Sequence, residues 1–569
     1  MRTALIYRPN KEVIQLRPLS TYPVDVWRST IVLGVPFLTM LCVVLIGTPL
    51  FEGNDDAGLA MTGAGFGPAV APEPHLIFSH FGYGLLLKFV SRFAGPYAHG
   101  WTTLAALGLS LGLYSRALCG DWRRQGYLVA TALVIASGCV FARASLEPQF
   151  TITAALLFGT AVGCWLSTQR EATRSATLST AIYGALILGF MIRPAAAALG
   201  LIVVGPALLW LAWRGPTGGR LPARHFITAI AAIAVMAYLT DKAAYALSDD
   251  WRNVIAYNQL RALFNDFFRI PWIPGAPEYA KVGWSANDHA MFMGWYSLHP
   301  IFDYANIKFL AETLALQTPL LSWSSVYRSF AALWASPILF ALAGVQFLLF
   351  GLFPQRLILA FLLLIGTLAA IIVSGLTGRP PTFRVLFSAM SVAFLFASPL
   401  LLLAEGELRP LQKAGLGFLV GIAIFTGYGT IQSHRERVSE AAVYRADLAG
   451  AAPYFSGTVI VWGSSLVWEW LVTPTTLHAP ISGLTIPALG VFTRSPVMQA
   501  ALQRLGISDL GTTLCTQPDI RLIATPLRVN QLQIFCEEHY HVRPAYDLVF
   551  NNPHTQIFVS GQPVRRASH

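Results

Sequence analysis

Apolar runs of about 20 residues, the length a helix needs to cross a bilayer, recur along this chain and constrain it more than any motif. They lie near 28–49, 98–117, 126–143, 150–167, 176–192, 194–213, 226–247, 328–352, 356–377, 385–404 and 413–432. Eleven such runs predict a polytopic α-helical membrane protein. The composition agrees, with 55% hydrophobic and 12% charged residues and a mean hydropathy of +0.56. A soluble chain carries roughly 25% charged residues. A net charge of +11 would point to nucleic acid in a soluble protein. Here Lys and Arg gather in alternate loops, so the excess reads as topology and no nucleic-acid partner is expected.

Arg2, Arg8, Lys11 and Arg17 precede the first run. Arg116, Arg123 and Arg124, then Arg170 and Arg174, then Arg214, Arg220 and Arg224, then Arg356, then Arg409 and Lys413 fall on the same side. The positive-inside rule makes that side the cytoplasm. An odd number of spans then puts the C-terminus outside. The N-terminal stretch is too long and polar ahead of its apolar run for a cleaved signal peptide, so the first run is expected to stay as an anchor. The expected organisation is a cytoplasmic segment 1–27, a transmembrane domain 28–432 with large outer loops 50–97 and 248–325, and an outer α/β domain 433–569. In the first outer loop, Leu76 to Phe93 reads as an amphipathic interfacial helix. In the second, Trp251, Trp272, Trp284, Trp295 and Trp323 fit an interfacial belt. Within the tail, 457–462, 520–524, 533–535 and 556–559 read as strands and 496–505 as a helix. Cys515 and Cys536 are the two cysteines of the tail, and outside the cytoplasm they can pair.

Soluble-enzyme motifs are missing: no phosphate loop, no paired CxxC, no HExxH. Gly463-Ser464-Ser465 after a strand lacks the GxSxG spacing of a nucleophile elbow. Chemistry is instead concentrated in the outer loops. Glu52, Asp55 and Asp56 follow directly on the first run. Like charges at a membrane edge repel, and desolvation disfavours their ionisation. They serve either as a solvated loop cap or as a general base held at the lipid boundary, and the other outer features favour the base. Those features are Asp288 and His289 in the second loop, the Arg143–Glu147 turn, and the cations Arg193, Lys281, Arg379 and Arg384. Cations on an outer surface run against the charge bias. Headgroup binding or internal salt bridges would explain them, and so would a phosphate arriving within the bilayer, which Arg pairs bidentately. The corresponding reaction has a lipid-phosphate-linked donor held by Arg or Lys and an acceptor hydroxyl deprotonated by a carboxylate. The phosphate then departs as a stabilised anion.

Asn54-Asp55-Asp56 after the first span, Pro74-His75-Leu76-Ile77-Phe78 in the same loop, Gln149-Phe150-Thr151 opening the fourth span and the Gly378-Arg379 to Arg384 turn resemble the GT-C superfamily of integral membrane glycosyltransferases. The resemblance extends to the architecture over nearly the whole chain. It implies an inverting transfer from a polyprenyl-phosphate-linked sugar onto a periplasmic glycan, glycolipid or protein acceptor, in a bacterial inner membrane. Asp55 and Asp56 map onto the catalytic acid, with Asp55 favoured. His75, His80, Glu147, Arg193, Lys281, Asp288, His289, Arg379 and Arg384 are the candidate substrate-binding residues. No WWD-type motif is present, and Trp468-Glu469-Trp470 does not match one, so a monosaccharide donor is favoured over an oligosaccharyl one. No cofactor is firmly implied; Asp55, Asp56 and Asp288 could share a divalent cation. The alternatives are a flippase for lipid-linked glycans, disfavoured because ionisable groups sit at the outer edge and no repeat is seen, and a polysaccharide polymerase or ligase, which would not need the acid pair. A membrane acyltransferase would want a histidine within a span, whereas the histidines fall in loops and the tail.

Overall fold

A computed structural model describes residues 22–120, 127–168, 176–214, 222–314, 323–352, 357–376, 382–402, 410–478, 484–562 and 564–565. Arg379 lies outside the described residues, as do the loop cations Arg2, Arg8, Lys11, Arg17, Arg123, Arg124, Arg170, Arg174, Arg220, Arg356 and Arg409. Every apolar run coincides with helix: Tyr22–Leu45, Ala98–Gly120, Tyr127–Leu146, Phe150–Ser167, Ala176–Ile192, Pro194–Arg214, Ala223–Ala246, Leu357–Leu376, Phe383–Leu402 and Pro410–Ala449. The run 328–352 is divided into Trp323–Ala335 and a second helix opening at Pro337, bent by 96°. Pro337 cannot continue a helix, because it lacks an N–H and its ring clashes with the preceding turn. Among the described residues, seven helices are long and apolar enough to cross a bilayer, or eight if the bent pair is one span. Ala176–Ile192 is shorter, with 17 residues.

Phe150–Ser167 is the hub of this bundle, with 94% of its span buried in protein. Gly159 and Gly163, one turn apart, let Phe383–Leu402 approach it closely, as small residues do between membrane helices. A methyl at Gly163 would stand 2.5 Å from the Leu395 carbonyl, which accepts a hydrogen bond from the Tyr114 hydroxyl at 2.8 Å. In the loop 50–97 the amphipathic helix spans Phe81–Ala94, later than expected, because the His80 ring caps it by accepting from the Gly82 N–H. Leu85, Phe89 and Phe93 remain exposed on this helix.

The tail holds strands β1 (Val459–Trp462), β2 (Ala488–Leu489), β3 (Arg521–Ile523), β4 (Val542–Arg543), β5 (Tyr546–Asn551), β6 (Gln556–Ser560) and β7 (Val564–Arg565); β4 pairs with β7, and the others form a five-stranded sheet in the order β2-β1-β3-β6-β5. β2, β1 and β3 run parallel, and β6 and β5 complete the sheet antiparallel. The expected strand at 533–535 is helical, inside Pro526–Tyr540. Thr525 caps that helix, and Val529, Leu532, Phe535 and Cys536 recur at helical spacing on its buried face. Cys515 and Cys536 are disulfide-bonded, their Cα atoms 5.5 Å apart.

Two features tie tail to bundle. Pro410–Ala449 is one helix of 40 residues, so the chain passes position 433 without a break. The loop 248–325 folds, over its described residues, into short helices that share one hydrophobic core with the tail, joining Trp284, Phe292 and Phe302 to Trp462, Leu532 and Phe535. Trp251 and Trp284, expected at the membrane interface, are buried in protein instead.

Candidate active site

Asn54–Ala64 is the next helix after the first apolar one, Tyr22–Leu45. Its first turn carries Asp55 and Asp56, where the helix dipole favours negative charge. Neighbours on a helix point about 100° apart, so the two acids meet different surroundings. Asp56 is fully buried. Its Oδ1 accepts from the Phe150 N–H at 2.8 Å and from His99 Nε2 at 3.2 Å. Burial pushes its carboxyl above the ordinary range, against the pull of those two donors. Asp55 is part-exposed, and its Oδ2 accepts from Arg384 Nη1 at 2.7 Å.

Asp55 and Arg384 line a cleft of about 830 Å³ together with Arg193. Arg193 is placed by the start of the hub helix: its guanidinium lies over the Phe150 ring at 4.5 Å and donates to the Phe78 carbonyl at 3.4 Å. Phe150 therefore fixes Asp56 through its backbone and Arg193 through its ring. Gln149 holds this helix start by accepting from the Thr151 and Ile152 N–H groups.

The facing wall comes from the tail and the second loop. Trp462, Gly463, Ser464 and Ser465 follow β1, Leu489 to Phe492 close β2, and Thr525, Leu527 and Arg528 follow β3. The carboxyl ends of all three parallel strands thus open into the cleft, the edge where α/β sheets present loops to ligands. Arg261, Asp266 and Trp295 complete this wall. Among the described residues no histidine lines the cleft, so Ser464 and Ser465 have no imidazole there to activate them.

The other expected binding residues lie elsewhere. Glu147 meets Arg143 at 2.8 Å, His434 at 3.3 Å and Arg437, locking the Arg143–Glu147 turn to the long helix. Burial alone would raise its carboxyl, but the His434 hydrogen bond and the charges of Arg143 and Arg437 bring it down to about 2. His75 stacks on Trp251 at 4.9 Å and pairs with Glu73. His80 reaches the Ala237 carbonyl and the Thr240 hydroxyl, both at 3.0 Å. Lys281 lies over the Phe309 ring. His289 is buried with Nε2 on the Ile270 carbonyl, and burial lowers its pKa. Asp288 closes a capping box with Ser285 and accepts from His539 at 2.8 Å. Asp55, Asp56 and Asp288, which could have shared a divalent cation, are not brought together. Among the described residues, the group with metal-ligand spacing is Asp288, Glu538 and His539, whose ligand atoms lie within 4.8 Å of one another.

Sequence reasoning missed Arg261, Asp266, Trp295 and Arg528 in the cleft, and the state of Glu52. Burial pushes the Glu52 carboxyl up to about 7, with Arg143 opposing and Asp56 adding to the shift. Thr525-Pro526, a helix start just after a strand, was the available signal for Arg528; nothing local marked Arg261.

No family model matches the chain, and no curated protein matches it. Among solved structures it is similar to ArnT from Cupriavidus metallidurans in the apo state, with 12% identity over 95% of this chain and 98% of that one and a TM-score of 0.36. The same protein bound to undecaprenyl phosphate gives 13% identity over 95% and 98%, with a TM-score of 0.37. The Archaeoglobus fulgidus oligosaccharyltransferase in its apo form gives 10% identity over 92% of this chain and 74% of that one, with a TM-score of 0.39.

Proposed function

We propose that this polytopic protein is a glycosyltransferase of the GT-C type, moving a sugar from a polyprenyl-phosphate donor onto an acceptor hydroxyl. The observation that carries this reading is the convergence of Asp55, Arg384 and Arg193 on one cleft between membrane helices and the tail. In the proposed step Asp55 takes the proton of the acceptor hydroxyl as its oxygen attacks the anomeric carbon. The bond from that carbon to the phosphate oxygen breaks, and polyprenyl phosphate leaves with the electron pair, inverting the centre. A guanidinium carries five N–H donors, so Arg384 can hold Asp55 with one and meet phosphate with others. Arg193 supplies the second cation beside it. Asp56 acts as a positioning residue, pinning the Asn54–Ala64 helix to the hub helix through Phe150.

The cleft and tail are proposed to face the periplasm of a bacterial inner membrane. The loop cations and the Cys515–Cys536 disulfide support this orientation. The test is transfer by purified protein from a panel of synthetic polyprenyl-phosphate sugars, wild type against Asp55→Asn and Asp56→Asn. Loss of transfer in Asp55→Asn with donor binding retained is expected. Full transfer by that variant would remove Asp55 from the chemistry.

A further inference from the structure

We propose that Arg261 and Arg528, on either side of Gly294-Trp295, form a second anion subsite that receives a phosphate group carried by the acceptor. Naming the acceptor as the carrier rests on the glycosyl-transfer reading above; the subsite itself rests on geometry. Among the described residues the cleft is lined by four arginines, Arg193, Arg261, Arg384 and Arg528, against two carboxylates, Asp55 and Asp266. Arg384 belongs to the helix Phe383–Leu402 and Arg193 to the junction between Ala176–Ile192 and Pro194–Arg214, whereas Arg261 comes from Asp249–Asn265 and Arg528 from the tail helix after β3. The positive charge is therefore split between opposite walls.

Arg261 is only 6% exposed. Its Nε donates to Asn258 at 2.9 Å and its Nη2 to Asp266 at 3.2 Å, while its Nη1 is buried without a hydrogen-bond partner among the described residues. A buried charged donor left unsatisfied is costly, and a bidentate oxyanion is the ligand that would satisfy it. Arg528 is held in place by Nη1, which donates to the Ala290 carbonyl at 3.1 Å and to Gln531 at 2.8 Å. Between them Trp295 adopts φ +74°, a left-handed conformation that disfavours a bulky residue and marks stored strain. The turn is overdetermined: the Trp462 indole donates to the Gly294 carbonyl, and the Arg528 guanidinium packs where a Gly294 side chain would be, 2.2 Å from that position. Arg261 covers the Trp295 ring at 4.3 Å. The Trp295 indole lines the cleft together with both cations, a surface on which a sugar ring can stack beside its own phosphate.

The full-length protein in detergent is titrated with a phosphomonoester-bearing disaccharide, with the same disaccharide lacking phosphate, and with polyprenyl phosphate. Tighter binding of the phosphorylated disaccharide by about tenfold, as one charge-assisted bidentate contact gives, is expected. Arg528→Gln should remove that preference and leave polyprenyl phosphate binding unchanged, with Arg528→Lys restoring part of it. Arg261→Gln should act alike where it folds. Equal affinity for the two disaccharides in wild type would overturn the subsite. Parallel loss of polyprenyl phosphate binding in Arg528→Gln would assign both arginines to the donor and overturn the acceptor assignment. Binding is read without turnover. A protein that shows the preference but transfers no sugar therefore keeps the subsite and loses the glycosyl-transfer reading.

Discussion

Asp55 and Asp56 are adjacent, identical in chemistry, and divided by orientation. The division predicts two phenotypes. With Asp55 in its proposed role as base, Asp55→Asn should lower transfer by about 10²–10⁴-fold, the span of a lost general base, with an unchanged melting temperature. Asp56→Asn should show the opposite balance, losing roughly 1–3 kcal/mol of stability through disturbed buried hydrogen bonds. Thermal melts and turnover on the same preparations separate the two. Glu147 gives a pH prediction. Its folded pKa of about 2 lies below the ordinary 4.5, so the folded state binds fewer protons between those values. The resulting stabilisation, about 3 kcal/mol from the linkage relation, is present above pH 4.5 and fades as pH falls towards 2. Melting temperature should drop across that window, and Glu147→Gln should flatten the slope while lowering stability at pH 7, because Arg143, Arg437 and His434 lose their shared partner.

At the scale of elements, the decisive contacts are between helix ends. Gly100, in the first turn of Ala98–Gly120, packs on the tail: a methyl there would sit 2.1 Å from the Pro474 carbonyl. Gly100→Ala should therefore cost about 1–3 kcal/mol, as overpacking does, and should reduce transfer without touching a cleft residue. Wild-type stability in that variant would show that the tail can shift away cheaply. Apolar runs were legible as helices because about 20 nonpolar residues have no other stable form in a bilayer. The break at Pro337 was signalled by the proline, yet the run reads as continuous by hydropathy alone. The segment 533–535 misled because three residues cannot distinguish period 2 from period 3.6; only the longer Val529–Cys536 pattern shows the helix.

For the whole molecule, the loop 248–325 and the tail stand or fall together. Phe302 is fully buried where the two meet, with ring centroids 5.2 Å from Trp284 and 6.1 Å from Phe535. Phe302→Ala should cost about 3–5 kcal/mol and loosen the tail wall of the cleft, read as faster proteolysis of the tail and loss of transfer. The Cys515–Cys536 bond closes a separation of 21 residues within the same core. Its reduction should cost the tail about 3 kcal/mol on the loop-entropy estimate, seen as a lower melting temperature in reductant.

The amino-acid sequence by itself determined that this chain is a helical membrane protein with an α/β tail, and that its acids lie just beyond the first span. These are local matters of hydropathy, periodicity and turn chemistry. Only the tertiary structure decided which of two neighbouring aspartates faces the cleft, that Glu147, His75 and Asp288 are engaged elsewhere, and that Arg261 and Arg528 stand across from Arg193 and Arg384. Those outcomes depend on helix phase and on contacts spanning up to several hundred residues, such as Asp55 with Arg384. No short stretch of sequence encodes a partner that far away; packing brings it there.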